Sequence, residues 1–225
     1  MILQGDCMEY MAKMPDKAFE LAIVDPEFGI DAGNMTMGKG VSSRIKKSSW
    51  DKSIPTPEYF NQVFRVSVNQ IIFGGNYFSL PATGAWIVWD KDRQKGISFS
   101  DGELIWTSFD FNLKIHKHKY DGFLGSDTDG RIHKCQKPVR LYEWLLKNYA
   151  TPGDKILDTH LGSGSSAIAA YNMGFDFTGF EIDPDYFKAA KERLENHMKQ
   201  GRLFDPFEER KFPDPKQEEL DILKG

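Results

Sequence analysis

No stretch of the chain limits its fold more than residues 155–182. Lys155-Ile156-Leu157-Asp158 is a short strand-like run and Thr159 to Gly164 a glycine-bearing loop. Ser165 to Met173 then reads as a helix, and Phe175 to Ile182 as a second strand-like run carrying Glu181. A strand returned to its sheet by a helix comes back parallel, and parallel strands need cover on both faces. Gly162 and Gly164 let the backbone approach a ligand closely, Ser165 or Ser166 offers a helix cap, and Gly174 suits a left-handed helix stop.

The rest of the chain uses the same alternation. Thr56-Pro57-Glu58 opens a helix running toward Asn69, with proline at the first position, where a missing N–H leaves no partner unsatisfied. Gln70 to Gly74, Ala85 to Asp90 and Glu103 to Thr107 are short, β-branched and aromatic, as sheet strands are. A helix is expected over Val139 to Tyr149, a turn at Thr151-Pro152-Gly153-Asp154, and a last helix over about residues 185 to 200, capped by Asp183 and stopped near Gly201. The expected fold class is therefore α/β, a doubly wound, mostly parallel sheet. With 225 residues, 40% of them apolar, the chain can bury one sizeable core. We expect a single domain over residues 1–203, then an acidic, proline-containing tail over 204–225. Trp86, Trp89 and Trp106 are assigned to the core.

Leu21-Ala22-Ile23-Val24-Asp25-Pro26-Glu27-Phe28-Gly29 is the second informative segment. Its apolar run delivers Asp25 to a strand's carboxyl end, where open α/β sheets hold their ligands, and Pro26 and Gly29 turn the chain. An acceptor and an aromatic face at one turn suit chemistry on a flat amine. Glu181, after the strand that follows the glycine loop, is placed to bind ribose hydroxyls, which describes a pocket for an adenosine-containing cofactor. Gly162-Ser163-Gly164-Ser165-Ser166-Ala167 also fits a looser dinucleotide fingerprint. There the strand runs almost directly into the first glycine, whereas here Thr159, His160 and Leu161 intervene, and Asp158 would repel a pyrophosphate but suit a cation.

Four landmarks occur together in one order: Gly5-Asp6-Cys7, Asp25-Pro26-Glu27-Phe28-Gly29, His133-Lys134-Cys135-Gln136-Lys137-Pro138-Val139, and Asp158-Thr159-His160-Leu161-Gly162-Ser163-Gly164-Ser165-Ser166 with Gly179-Phe180-Glu181-Ile182-Asp183. Over roughly residues 2 to 200 the chain resembles the S-adenosylmethionine-dependent DNA amino-methyltransferases, in their circularly permuted, beta-class motif order. One departure stands out. The family's usual Asp-Pro-Pro-Tyr or Phe is here Asp25-Pro26-Glu27-Phe28, a charged, flexible residue replacing the second proline.

The resemblance implies roles residue by residue. Asp25 and the Pro26 carbonyl accept the target amine's hydrogens, and Phe28 stacks on the base. Asp6 and Cys7 lie near the cofactor adenine and Glu181 on the ribose. Lys137 and the loop Leu161, Gly162, Ser163 and Gly164 lie near the methionine end, with Asp158 facing the sulfonium amino acid. The implied reaction is transfer of a methyl group from S-adenosylmethionine to N6 of adenine in double-stranded DNA, after the base is swung out of the helix. An aspartate at the head of the catalytic motif favours adenine in this family. The alternatives are N4-cytosine or RNA-base methylation, a cofactor- and DNA-binding protein that lost turnover through Glu27, and, remotely, a nicotinamide oxidoreductase.

A net charge of −4 suits a DNA partner only if the basic residues cluster. Two segments do: Lys39, Arg44, Lys46 and Lys47 after the catalytic turn, and Lys114, Lys117 and Lys119 through Arg131, Lys134, Lys137 and Arg140. Both are expected to line a nucleic-acid groove, against the plainer reading of solvated loop charge. Only loops near residues 30–55 and 112–134 remain to read sequence, which points to a short recognition site, a homodimer or a specificity partner. The start lacks a basic leader and no run approaches a membrane span, so a cytoplasmic protein is expected. Cys7 and Cys135 lack metal spacing, so neither a disulfide framework nor a metal is expected.

Overall fold

The computed structural model describes residues 1–31, 51–93, 100–119, 132 and 135–199. In chain order the elements are β1 (Ile2–Gln4), α1 (Cys7–Met11), β2 (Phe19–Val24), α2 (Pro57–Val66), β3 (Ser67–Phe73), a single 3-10 turn (Gly75–Tyr77), β4 (Ile87–Asp90), β5 (Gly102–Thr107) and β6 (Lys114–Lys117). They continue with α3 (Val139–Tyr149), β7 (Lys155–Asp158), α4 (Ser165–Met173), β8 (Asp176–Glu181) and α5 (Pro184–Lys199). The strands form one eight-stranded sheet in the order β1-β8-β7-β2-β3-β5-β4-β6. Every neighbouring pair is parallel except those of β5, which runs against β3 and β4. The expected α/β, mostly parallel sheet is what forms.

Strand β2 sits at the junction, between β7 from late in the chain and β3 from early in it. Its alternate residues face opposite sides. Leu21 and Ile23 join a core with Leu141 and Leu145 of α3, while Ala22 and Val24 join another with Met11 of α1 and Phe60 and Val63 of α2. This two-sided burial is why the strand reads as an unbroken apolar run. Helix α2 ends at Val66 rather than near Asn69, and β3 begins at once. Val66 and Val68 favour extended backbone, and the Ser67 hydroxyl donates back to the Val63 carbonyl at 2.6 Å, closing the helix.

The end of α4 matches expectation and its beginning does not. Gly174 caps it at φ 75°, in the left-handed region. At the other end the cap is Gly164, also left-handed, and no side chain bonds the first turn. Ser166 instead gives its hydroxyl to Asp158 at 2.5 Å, and Ser165 pairs with the Ser163 hydroxyl at 3.1 Å. Asp183 caps α5 as expected, accepting from the Asp185 and Tyr186 amides at 2.8 and 3.1 Å. Trp89 and Trp106 are core residues and Trp86 packs against the core from a half-buried position. Among the described residues no helix is long and apolar enough to cross a membrane, and no cluster of His, Cys, Asp and Glu is arranged to hold a metal.

Candidate active site

The carboxyl ends of β1, β8, β7 and β2 open onto a cavity of about 690 Å³, within the range of small-molecule sites. Asp6, Cys7, Leu161, Gly162, Ser163 and Glu181 line one part of it. Asp25, Pro26, Phe28 and Lys137 line the other, so both expected halves of the site share one space. Pairing of β1 with β8 brings the first landmark to the last: Gln4 stands opposite Glu181, and the Gly5 amide donates to the Glu181 carbonyl at 2.9 Å.

Glu181 is held ready at the end of β8. Its carboxylate accepts from the Gly162 amide at 2.8 Å and from the Asp183 amide at 2.9 Å, so it fixes the glycine loop while facing the cavity. Burial raises its pKa, against these bonds. Gly179, below the loop, has no room for a side chain, since a Cβ there would lie 2.7 Å from the Phe177 ring and 3.0 Å from Leu161. Asp6 combines two roles: it lines the cavity and caps α1, accepting from the Met8 amide at 2.9 Å. Burial pushes the Cys7 thiol up to about 12 and the Cys135 thiol up to about 11, so neither is a thiolate at neutral pH.

Asp25 is the charged centre of the other half. Its Oδ2 lies 2.5 Å from Lys137 Nζ, which is also 3.5 Å from Glu103 Oε2; Glu103 Oε1 in turn meets Lys91 Nζ at 2.6 Å. Burial pushes the Asp25 carboxyl up to about 6, against the pull of Lys137. Burial opposes charge on Lys137, but the Asp25 and Glu103 carboxylates outweigh it and hold its pKa above the usual range. Phe28 stacks on Tyr77 with ring centroids 5.1 Å apart and planes 11° from parallel, and Lys137 Nζ lies 5.5 Å from its centroid. Tyr77 lines the cavity as the stacking partner of Phe28.

Two expected cofactor residues lie elsewhere. Asp158 and Gly164 are not in the cavity wall. The Asp158 side chain is 1% exposed and accepts from the Ser166 hydroxyl and, at 2.9 Å, from the His160 amide, so it pins the loop to the start of α4 rather than facing a ligand. Gly164 packs against Ala190 of α5. Lys137 lines the cavity, but its partner is Asp25 rather than the glycine loop. Lys117 is exposed on the edge strand β6, paired with Asp92 at 2.9 Å, and neither it nor Lys119 lines the cavity. Lys39, Arg44, Lys46 and Lys47, and most of the two expected recognition loops, lie outside the described residues.

Glu103, Lys91 and the partner of Glu27 were not singled out by sequence. Glu27 Oε2 lies 3.3 Å from His160 Nε2. Nothing local marks Glu103, because it stands at the start of a strand and only the sheet order brings it to Asp25.

A glycine loop and a buried carboxylate on one side of a sheet junction, with an acidic turn beside an aromatic ring on the other, define a group-transfer enzyme of the α/β methyltransferase kind. Residues 44–192 match the DNA methylase family of N6 and N4 type, and the chain belongs to that family. It is 21% identical over 239 residues to the type II methyltransferase M2.DpnII of Streptococcus pneumoniae, covering 86% of this chain and 89% of that protein. It is 24% identical over 242 residues to the type II methyltransferase M.HinfI of Haemophilus influenzae, covering 86% and 67%. Among solved structures, the M1.HpyAVI complex with S-adenosylmethionine aligns at TM-score 0.57 and 19% identity, over 86% of this chain and 98% of that one. The cytosine-N4-specific PvuII DNA methyltransferase aligns at 0.57 and 14%, over 88% and 89%. Membership makes S-adenosylmethionine the cofactor and DNA the substrate class.

Proposed function

We propose that the protein methylates the exocyclic N6 amine of adenine in double-stranded DNA. The observation that carries this reading is that the Asp25-Pro26 turn, the glycine loop at Leu161 to Ser163 and Glu181 line one cavity. The residues fit the cofactor. Glu181 presents a fixed carboxylate suited to a ribose diol, and Asp6, just after β1 whose Gln4 stands opposite Glu181, lines the same cavity, where an adenine amine would find an acceptor. When bound, the cofactor supplies a methyl group activated by a sulfonium.

The rest is positioning and electrostatics by the chain's own groups. An exocyclic amine is a poor nucleophile because its lone pair is delocalised into the ring. Asp25 and the Pro26 carbonyl, accepting both amine hydrogens, favour a pyramidal nitrogen with its lone pair free. Asp25 must be ionised to do so, and with its carboxyl pushed up to about 6 it is well matched to take a proton from the cationic product amine near neutral pH. Direct transfer to the amine requires no covalent intermediate, and burial keeps the Cys7 and Cys135 thiols protonated. Phe28 offers stacking of roughly 1–3 kcal/mol against the few kcal/mol needed to flip the base. The aspartate at the head of the motif supports adenine, while likeness to the PvuII enzyme keeps N4-cytosine as the second reading.

The test is incubation with S-adenosylmethionine and unmethylated duplex DNA of mixed sequence, digestion to nucleosides and identification of the methylated base by mass. N6-methyladenine, absent from the Asp25→Asn variant, is expected. N4-methylcytosine would replace the adenine reading, and product from RNA alone would replace DNA.

A further inference from the structure

Glu27 and His160 belong to different motifs, and their side chains meet. Glu27 lies in the turn after β2 and His160 in the loop after β7, and these strands are parallel neighbours with Leu21 opposite Ile156 and Ala22 opposite Leu157. Both residues line the cavity, with 27% and 22% of their side chains exposed, so water screens the 3.3 Å contact only in part. The imidazole is fixed from behind. Its Nδ1 lies 2.9 Å from the Thr159 hydroxyl and 3.4 Å from the Tyr59 hydroxyl, those two hydroxyls are 2.6 Å apart, and the Tyr59 ring meets it edge-on. Its backbone amide donates to Asp158. Nε2 is thereby left directed at Glu27.

This arrangement answers the departure in the catalytic motif. A second proline would fix the φ of the turn; glutamate leaves that backbone freer and so more costly to order. We propose that Glu27 and His160 act as a positioning pair that ties the catalytic turn to the cofactor loop, supplying through a side-chain tether the order that proline would supply through the backbone. The inference rests on the methyl-transfer reading. The pair makes the geometry of Asp25 and Phe28 depend on the loop that holds the cofactor.

Protonation sets the strength of the tether, because a charge-assisted hydrogen bond is roughly twice as strong as a neutral one. The groups facing His160 are Glu27, Asp158 and Glu181, with the Tyr59 and Thr159 hydroxyls. Burial alone would lower the pKa of His160, but the Glu27 bond and the surrounding carboxylates raise it above the usual imidazole range. The charged pair is therefore present where Glu27 is ionised and His160 protonated, and it is lost as pH rises through that raised value.

The experiment compares wild type, Glu27→Gln, His160→Gln and the double variant, each checked for an intact melting transition. Three quantities are read: the His160 titration by NMR and amide hydrogen exchange, both on the cofactor-free protein, and kcat and KM for methyl transfer across pH. Glu27→Gln is expected to lower the His160 pKa and to speed exchange in residues 159–163, across the junction from the substitution. His160→Gln is expected to speed exchange in residues 26–29. Each single variant should lose roughly tenfold in kcat, the scale of one hydrogen bond to a charged group, and the double variant no more than the worse single. Additive losses, or a His160 titration unmoved by Glu27→Gln in a wild type that does transfer methyl groups, would overturn the pair alone. A wild type that transfers none overturns the functional reading and with it the pair's role.

Discussion

Replacing Lys137 with methionine keeps most of the length of the side chain and removes the charge that holds Asp25. Lys137 is 5% exposed, 2.5 Å from Asp25 and 3.5 Å from Glu103. Burial already pushes Asp25 up to about 6, and Lys137 is the largest influence in the other direction. For unit charges about 4 Å apart at an effective dielectric of about 20, the attraction lost is about 4 kcal/mol, roughly a thousandfold in the proton equilibrium. Asp25 keeps 17% exposure at the cavity wall, so water recovers part of this and a smaller shift follows. The sign is fixed: in wild type the ionised, accepting form of Asp25 is present above about pH 6 and lost as pH falls through it. In the variant that acid limb should move up by about one to two pH units, since Glu103 then faces Asp25 as a like charge. At pH 7 kcat should fall roughly two- to tenfold and recover toward higher pH. The assay is methyl incorporation into DNA at saturating cofactor from about pH 5 to about pH 9, with cofactor affinity measured separately by calorimetry. A contact between Lys137 and the cofactor would appear in that affinity, not in the limb. An acid limb left at its wild-type position, with turnover at pH 7 retained, would refute the ion-pair argument.

Three further outcomes follow from single contacts. At Gly74, φ is 65° and a Cβ would lie 2.3 Å from the Phe28 ring, so Gly74→Ala should displace that ring and lower kcat by roughly ten- to a hundredfold, the scale of lost stacking, with little change in cofactor affinity; unchanged turnover would remove Phe28 from the chemistry. Ser166→Ala takes a donor from the buried Asp158 carboxylate and should lower unfolding stability by about 1.5–3 kcal/mol in urea titrations, while cofactor affinity stays within about twofold because Asp158 is outside the cavity wall. Glu181→Gln should weaken cofactor binding roughly tenfold in calorimetry, and wild-type affinity should itself decline as pH falls through the raised pKa of Glu181, a decline that the variant must lack.

What the sequence made legible was carried by local chemistry. Val139 to Tyr149 is a helix to the residue, because apolar side chains recur along one face and a proline precedes it. Gly174, Asp183 and the strand ending before Asp25 were readable for similar reasons. The contacts that sequence does not show depend on distant partners. Asp158 looks like a ligand from its place at a strand end, and only the fold of the loop turns it onto Ser166. Lys137 follows the expected motif, yet its partner Asp25 follows a strand near the other end of the chain. Glu27 was visible as a departure, but not as half of a pair, since His160 approaches it only once β2 and β7 lie side by side.

The reversed strand β5 ties the electrostatics of Asp25 to topology. In a parallel sheet, side chains that begin a strand and side chains that end one stand at opposite edges, so residues at the carboxyl edge come only from strand ends. Asp25 follows β2 and Lys91 follows β4 at that edge. Because β5 is antiparallel to β3 and β4, its first residues return to the same edge, with Asp90 opposite Gly102 and Trp89 opposite Glu103. Glu103 therefore meets Lys91 and reaches Lys137, and two carboxylates alternate with two lysines in a half-buried row. Were β5 parallel, Glu103 would stand at the far edge, and Lys137 would be left with Asp25 as its single counter-charge. The lysine would then bind the Asp25 carboxylate more tightly and lower its pKa. Burial is the main reason the Asp25 carboxyl is pushed up to about 6, and Glu103, a like charge that also shares Lys137, adds to that rise.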